Sequence, residues 1–376
     1  MNFDFLLKLN KGGFLGLVKS EVYHGDHEVL EIPNLTFLEK KPKFLIELES
    51  KDFTKSQEKL QDLLIHGATA ENPNRKEEKQ KRRLYYLAEY ILQLAGEKSS
   101  SNKQIESFSL VISREVMREG LVTLRTIRIF HDQPIYVIAD QETKEFLEQQ
   151  GISNLIIKID ISEASKQRIM RRFFKKRFVH LQTFHREEYI FKKMDAMSFA
   201  LKNHSNTFFL DADIILCEKL SIHSDREIIL SPHYCPARRF YQTFGNGFFN
   251  AGYVFCCDKT FPRFWRRLYL KDSRFYEQQG MDYIPEKYST HIFDASHNIG
   301  WWRNKNDNFN EPLDIVTPEK VWSFHLHLEP NYNYGDNSIV RKKNYEIKNI
   351  MLNYLRDNKK TEVIDSITSV FSDVKS

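Results

Sequence analysis

The amino-acid sequence predicts an α/β fold in which helices flank a mostly parallel central sheet. Strand-like apolar runs alternate with helical patterns over five successive stretches: 107–113, 116–130, 134–140, 141–150 and 154–159. This order is typical of βαβ units, in which each crossover helix packs back onto the sheet. A further helix over 185–203 leads directly into the apolar run 208–216. We therefore expect a Rossmann-like core that includes this last run.

The chain divides into three segments by composition and pattern. Residues 1–100 form an N-terminal extension of unclear fold, and the βαβ pattern occupies residues 101–335. Residues 336–376 predict a C-terminal helical tail, because their apolar positions follow one helical stripe that can dock onto the body.

The composition is that of an ordinary globular protein. Of 376 residues, 41% are hydrophobic and 28% charged, which excludes a disordered chain. The net charge of +5 is modest, although basic residues concentrate in RIMRRFFKKR, residues 168–177. We interpret this run as a solvated helix face; contact with phosphates or with an anionic membrane surface is the alternative.

The cysteines indicate neither a zinc site nor a disulfide framework. There is no Cys-x-x-Cys pair, and two of the four are adjacent: Cys217, Cys235, Cys256 and Cys257. Polar residues interrupt the apolar stretches of the first 20 residues, and no segment reaches the roughly 18 apolar residues of a membrane span. We expect a cytoplasmic protein. If the basic run contacts a membrane, we expect that contact to be peripheral.

Two acids stand out in FFLDADIIL, residues 208–216. In an extended backbone, Asp211 and Asp213 point to the same face, with Ala212 on the other. Burying a carboxylate beside a strand costs free energy, unless the acid emerges at the carboxyl end of the strand, where open α/β sheets bind ligands. A solvated turn is the plainer interpretation, but the apolar run that follows favours a site for Mg²⁺ or Mn²⁺.

Four segments in order carry a resemblance to a known family: PIYVIAD, KKMDAMSFAL, FFLDADIIL and FFNAGYVF. Over about residues 105–330 the chain resembles GT-A fold nucleotide-diphospho-sugar transferases, akin to glycosyltransferase family 8. The resemblance implies a GT-A fold and a metal-dependent hexosyltransferase that uses a nucleotide-sugar donor, most simply a UDP-sugar. It also implies a glycan or other hydroxyl acceptor.

The same resemblance implies roles for individual residues. Asp211 and Asp213 would hold Mn²⁺, or Mg²⁺, against the donor diphosphate. The donor-binding set carried over in this way is Lys192, Asp195, Asp211, Ala212, Asp213, Asn250, Ala251 and Gly252. A surface ion pair is the plainer interpretation of Lys192 and Asp195.

Two histidines are candidates for a third metal ligand. SFHLHLEP, residues 323–330, sets His325 and His327 two positions apart, so an extended backbone turns both to one face. The family resemblance implies a histidine ligand from a late strand. The spacing does not decide between the two.

The candidate catalytic group departs from the family pattern. The resemblance implies an Asp-Gln pair near the transferred sugar, whereas the nearest match here is Glu277-Gln278. Asp282 is a second carboxylate in the same neighbourhood. The identity of the catalytic carboxylate is therefore open.

Aromatic residues further along the chain are predicted to bind the acceptor. Trp301 and Trp302 can stack on a sugar, because pyranose faces pack their C–H surface against rings. Core packing explains one of the two equally well. Asn298 lies beside them in sequence and is grouped with them as an acceptor-binding residue.

Two other functions compete with this interpretation. A sugar nucleotidyltransferase needs a glycine-rich loop after the first strand, and here Arg114 to Arg118 follow it instead. A non-catalytic module would bind glycans or nucleic acid through the basic run and the aromatic residues, and would not need a divalent ion. We expect no nucleic-acid partner, and the sequence leaves the oligomeric state open.

Overall fold

A computed structural model of the chain describes residues 102–161, 181–233, 249–272, 277–304, 311–329 and 338–371. The predicted N-terminal extension and the basic run 168–177 lie outside these residues, as does Cys235.

The core is a seven-stranded sheet, and its strands are β1 Phe108–Ile112, β2 Ile135–Ala139, β3 Leu155–Ile159, β4 Thr207–Leu210, β6 Ile228–Pro232, β7 Phe249–Cys256 and β8 Thr290–Ile292. Their order across the sheet is β3-β2-β1-β4-β7-β6-β8. Strand β7 runs antiparallel to both of its neighbours, and every other pair is parallel. The predicted α/β fold with a mostly parallel sheet is confirmed.

Seven α-helices accompany the sheets in the described part of the chain. They are α1 Met117–Phe130, α2 Gln141–Glu148, α3 Leu181–Ala200, α4 Phe261–Asp272, α5 Glu277–Met281, α6 Ser338–Asp357 and α7 Thr361–Thr368. None of the described helices is both long enough and apolar enough to cross a bilayer.

The local sequence explains the elements that form the first half of the sheet. Strand β2 is the run IYVIA, and all five residues are buried, as expected for a parallel strand covered on both faces. Asp140 then ends the strand and caps α2, because its side chain accepts a hydrogen bond from the backbone N–H of Thr143 at 2.8 Å.

The acid-bearing run 208–216 is two strands rather than one, which corrects the continuous strand expected from sequence. Strand β4 ends at Leu210, and the N–H of Ile214 donates to the carbonyl of Asp211 at 3.2 Å, closing a turn. The chain then enters β5, Ile214–Leu216, which pairs antiparallel with β9, Ser323–His325, in a separate two-stranded sheet. The turn redirects the chain from one sheet to the other.

The C-terminal helices α6 and α7 complete a second hydrophobic core. Their apolar side chains Ile347, Met351, Leu355 and Ile367 pack with Ile215 of β5 and Phe324 of β9. The strand that carries the candidate histidine is thus packed against the end of the chain. The C-terminal segment predicted as a tail shares this core.

Candidate functional site

The two acids lie where the connections of the sheet change direction. The chain adds β2 and β3 on one side of β1, and then returns to place β4 on the other side. At such a switch point the helices leave towards opposite faces, and a crevice opens beyond the carboxyl ends of the strands. Asp211 directly follows β4 and stands at this edge.

Asp211, Asp213 and His325, here called the Asp-Asp-His group, converge beyond the end of β4. One ligand atom from each lies within 4.8 Å of the others. Nε2 of His325 is 3.2 Å from Oδ1 of Asp213. Two backbone contacts hold the strands in register: Asp211 N–H donates to Gly252 carbonyl at 2.9 Å, and Leu326 N–H donates to Asp213 carbonyl at 3.0 Å.

The backbone of Gly252 on β7 lies directly against Asp211 and His325 of this group. A Cβ at this position would lie 2.4 Å from Oδ2 of Asp211 and 2.9 Å from Cε1 of His325. Only a residue without a side chain allows the carboxylate and the imidazole to approach the strand so closely. Gly252 is therefore required by the site and not by its backbone conformation.

His325 is oriented by Asn298. Nδ1 of His325 lies 2.9 Å from Oδ1 of Asn298, and the Asn298 amide nitrogen donates to the hydroxyl of Ser231 at 3.0 Å. Because the amide oxygen accepts, Nδ1 of His325 donates to Asn298, and Nε2 is the ring nitrogen that faces Asp213. A cation between Asp211 and Asp213 would meet this nitrogen.

His327 contacts both Asp213 and Glu119. Its Nδ1 is 3.5 Å from Oδ2 of Asp213 and 3.0 Å from Oε2 of Glu119. Burial would raise the pKa of Asp213, but His325 and His327 together lower it well below its usual range. Burial would lower the pKa of His327, but Asp213 and Glu119 raise it. Asp213 is therefore ionised at neutral pH.

Lys193 of α3 links Asp211 to Glu277. Its Nζ lies 2.9 Å from Oδ2 of Asp211 and 3.0 Å from Oε1 of Glu277. Burial would lower the pKa of Lys193, but the two carboxylates outweigh it and raise the pKa above its usual value. Burial raises the pKa of Asp211, and the ammonium group opposes that shift. The ammonium group of Lys193 thus connects Glu277, the candidate catalytic carboxylate, to the Asp-Asp-His group.

Lys192 and Asp195, the predicted donor-binding pair, belong to a different cluster. Nζ of Lys192 lies 2.9 Å from Asp160 and 3.8 Å from Asp195, and Asp195 is also paired with Arg266. Asp160 follows β3, so this cluster is at the same edge of the sheet but three strands away from β4. The lysine that contacts Asp211 is the neighbour, Lys193, which the sequence interpretation passed over.

The β7 residues predicted to bind the donor line the same edge. Oδ1 of Asn250 accepts from the N–H of Gly252 at 2.9 Å, and Oε1 of Gln278 accepts from the N–H of Ala251 at 3.4 Å. The carbonyl of Ala212 accepts from the hydroxyl of Thr123 at 2.7 Å. The structure therefore brings these donor-binding candidates next to the Asp-Asp-His group.

The acceptor-binding candidates are not equivalent. The Trp302 ring packs edge-on against His325 at 5.0 Å and against Trp301 at 6.3 Å, and both tryptophans are partly exposed. Asn298 is fully buried beneath His325, so its side chain does not reach the surface from which an acceptor would approach. Asp282 is also buried.

No protein-family model and no curated protein sequence matches the chain. Among solved structures, it is similar to mouse xyloside xylosyltransferase 1 in its apo form, at 11% identity and a TM-score of 0.40, covering 59% of this chain and 98% of that one. It is also similar to apo WbbM, a bifunctional glycosyltransferase, at 12% identity and a TM-score of 0.36, covering 74% of this chain and 60% of that one.

A third similar structure is the apo form of the glycosyltransferase GlyE from Streptococcus pneumoniae TIGR4. The identity is 14% and the TM-score 0.36, and the match covers 68% of this chain and 64% of that one. The chain thus spans less than two thirds of WbbM and of GlyE. Likenesses this weak assign no substrate and no residue role.

Proposed function

We propose that this protein is a metal-dependent glycosyltransferase that moves a hexose from a nucleotide diphosphate sugar, most simply a UDP-sugar, to a hydroxyl acceptor such as a glycan. The observation that carries the proposal is the Asp-Asp-His group at the carboxyl edge of β4. A non-catalytic binding module has no comparable need for a cluster of this composition, and a nucleotidyltransferase would need a glycine-rich loop where Arg114 to Arg118 follow the first strand.

The residues present fit a divalent cation. Two carboxylates and one imidazole form a donor set that suits Mn²⁺, with Mg²⁺ as the alternative, and leave coordination positions for phosphate oxygens. The hydrogen bond to Asn298 turns Nε2 of His325 towards Asp213, and Gly252 keeps the space in front of Asp211 clear. When bound, the cation would neutralise the negative charge that develops on a diphosphate leaving group.

Lys193 gives the proposed donor site a fixed positive charge of its own. Because Asp211 and Glu277 both bind its ammonium group, Lys193 stays protonated and bridges the two carboxylates. A donor phosphate bound at Asp211 would therefore lie close to this positive charge. Electrostatic stabilisation of this kind needs no rearrangement during the reaction, since the charge is already in place.

Glu277 is the best candidate for the carboxylate that acts at the sugar. It is almost fully buried, and its pairing with Lys193 orients it towards the same space as Asp211. Gln278 is tied to the N–H of Ala251, which would place its amide beside the donor sugar with Asn250. Whether the reaction retains or inverts the anomeric configuration depends on the bound sugar's orientation relative to Glu277.

The acceptor would approach over Trp301 and Trp302. Ring faces provide the apolar area that a pyranose needs, and both rings are partly exposed beside His325. We further propose that the protein acts in the cytoplasm, where any contact of the basic run 168–177 with an anionic membrane would be peripheral.

The proposal is tested by incubating the full chain with a panel of sugar nucleotides and measuring nucleotide diphosphate release with Mn²⁺, with Mg²⁺ and with EDTA. We expect release from one donor, only with a divalent cation. Asp213→Asn should abolish release while the protein stays folded, because an amide is a weak metal ligand.

Asp225→Asn is the matched control for this substitution. Asp225 is 78% exposed and precedes β6, at the edge of the sheet opposite the Asp-Asp-His group. The control should keep wild-type activity. Metal-independent release, or normal release by folded Asp213→Asn, would refute the proposed function.

A further inference from the structure

Helix α4 carries a row of positive charges on the side that faces away from the core. Its inner side is formed by Phe261 and Trp265, which are buried one turn apart. Arg263 and Arg267 each lie two positions from Trp265, which turns them about 200° around the helix axis. Both arginines are exposed, and so is Lys259, four positions before Arg263. The outer side of α4 is therefore basic.

Lys287 adds a fourth positive charge to this side of the helix. Its Nζ lies 4.5 Å from the centre of the Phe264 ring and 4.7 Å from the centre of the Tyr288 ring, and the residue is exposed. Phe264 directly follows Arg263 and lies about one turn before Arg267, so Lys287 stands next to the arginines. We call this surface the α4 basic face; its members are Lys259, Arg263, Arg267 and Lys287.

The cations of the α4 basic face have no carboxylate partner. Within the described part of the chain, no carboxylate lies within ion-pair distance of any of the four. Arg266, on the flank of the same helix, is by contrast paired with Asp195. The acid that precedes the helix, Asp258, is bound by its first turn, because Oδ1 accepts from the N–H groups of Thr260 at 2.6 Å and Phe261 at 3.2 Å.

A solvated helix face is the plainer explanation, and the charge pattern of α4 argues against it. On the exposed side of α2, Lys144 pairs with Glu148 four positions later at 3.5 Å. Arg263 and Arg267 have the same spacing but like charges, and no acid lies three or four positions from either. Like charges at this spacing repel and weaken a helix. An anionic partner outside the chain would relieve that repulsion.

The α4 basic face offers charge without exposed rings, which indicates the class of partner. Single-stranded nucleic acids bind where bases can stack on aromatic side chains. Here Phe261 and Trp265 are buried, and the ammonium group of Lys287 lies over the ring of Phe264. A row of about four cations on an amphipathic helix is typical of surfaces that bind anionic lipids, since headgroups require only positive charge spread over one plane.

We propose that the α4 basic face docks onto an anionic membrane surface, with the charged lipid headgroups as its occupant. This face is distinct from the basic run 168–177, which lies outside the described residues. The inference does not depend on the proposed transferase activity, because vesicle binding requires neither a cation nor a sugar nucleotide. Failure of one proposal therefore leaves the other standing.

The experiment measures co-sedimentation of the full chain with vesicles of phosphatidylcholine, alone or mixed with phosphatidylserine. We expect wild-type protein to bind only the mixed vesicles, and less tightly as the salt concentration rises. Each Lys or Arg near such a surface contributes about fivefold to partitioning, so Arg263→Gln/Arg267→Gln should lower the partition coefficient about 25-fold. Arg263→Lys/Arg267→Lys keeps both charges and should bind as wild type does.

Arg341→Gln/Arg356→Gln is the matched control, because it removes the same charge from exposed positions of α6. Helix α6 shares a core with α1, whereas α4 contacts α3, and α1 and α3 cover opposite faces of the sheet. The control should partition much as wild type does. Equal losses in the two glutamine variants would show that net charge, and not this face, drives binding, and would overturn the proposal. So would equal binding of wild type to neutral and anionic vesicles.

A second measurement uses wild-type protein alone. Phenylglyoxal modifies accessible guanidinium groups, and mass spectrometry locates the products. With anionic vesicles, Arg263 and Arg267 should react more slowly than with neutral ones, whereas Arg341 and Arg356 should react equally fast in both. Unprotected Arg263 and Arg267 in vesicle-bound protein would overturn the proposal. Binding to duplex DNA but not to anionic vesicles would overturn it as well, and would identify the face as a nucleic-acid surface.

Discussion

Gly252→Ala should destroy the candidate metal site in a protein that still folds. The new Cβ would lie 2.4 Å from Oδ2 of Asp211, whereas ordinary contact begins at 3.4 Å, so the carboxylate must move by about 1 Å. The Cε1 of His325, at 2.9 Å, must give way as well. Both displaced groups belong to the Asp-Asp-His group.

The two consequences differ in magnitude. Metal–ligand distances tolerate only about 0.2 Å, so a shift of this size removes a ligand. A misplacement of about 1 Å at a reacting centre costs roughly 100-fold in rate. For the fold, one extra methyl group at a tightly packed position costs about 1–3 kcal/mol. We therefore expect at least a 100-fold fall in kcat/KM in a protein that still unfolds cooperatively.

The assay combines Mn²⁺ titration, nucleotide diphosphate release and urea unfolding, with Gly151→Ala as the control. Gly151 has a φ of 63°, with open space where its Cβ would be, and it precedes β3 at the opposite edge of the sheet. Alanine there should lower the free energy of unfolding by about 1–2 kcal/mol and leave Mn²⁺ affinity unchanged. Wild-type Mn²⁺ affinity and turnover in folded Gly252→Ala would refute the reasoning.

Three further predictions concern ligands, the acceptor side and pH. Mn²⁺ and UDP together should raise the melting temperature by more than the sum of their separate shifts, because each completes the other's site; equal stabilisation by UDP in EDTA would contradict this. Trp301→Ala should raise the KM for the acceptor without changing Mn²⁺ affinity. Trp302→Ala should raise the same KM and also weaken Mn²⁺ binding, because the Trp302 ring packs on His325. Equal Mn²⁺ affinities of the two variants in calorimetry would contradict this prediction. Burial lowers the pKa of His297 to about 3. Its neutral form therefore stabilises the fold fully above pH 6.5, and this contribution falls by up to about 1.4 kcal/mol per pH unit as the pH drops towards 3. Urea titrations of His297→Gln should show a shallower loss between pH 7 and pH 5, and an equally steep loss would show that His297 is protonated in the fold.

The sequence by itself determined the sheet and the position of the acids. Strands such as β2 are uniformly apolar and the helices between them are periodic, so each element is specified by its own residues. The acids of 208–216 end a buried strand, and that local fact sufficed to predict a ligand site at the carboxyl edge. A turn at these acids was weighed but not favoured, because an apolar run looks the same whether it continues one sheet or enters another.

The tertiary structure decided which side chains meet the acids. Lys192 and Lys193 are neighbours on a helix and point about 100° apart, so the rotation of α3 against the sheet selects Lys193. His325 and His327 are distinguished only by their partners, Asn298 and Glu119. Glu119 had no signal in the sequence, since a glutamate in a helix usually faces solvent. It meets His327 across 208 positions of the chain, and contacts over such distances are set by how the elements pack, not by any local pattern.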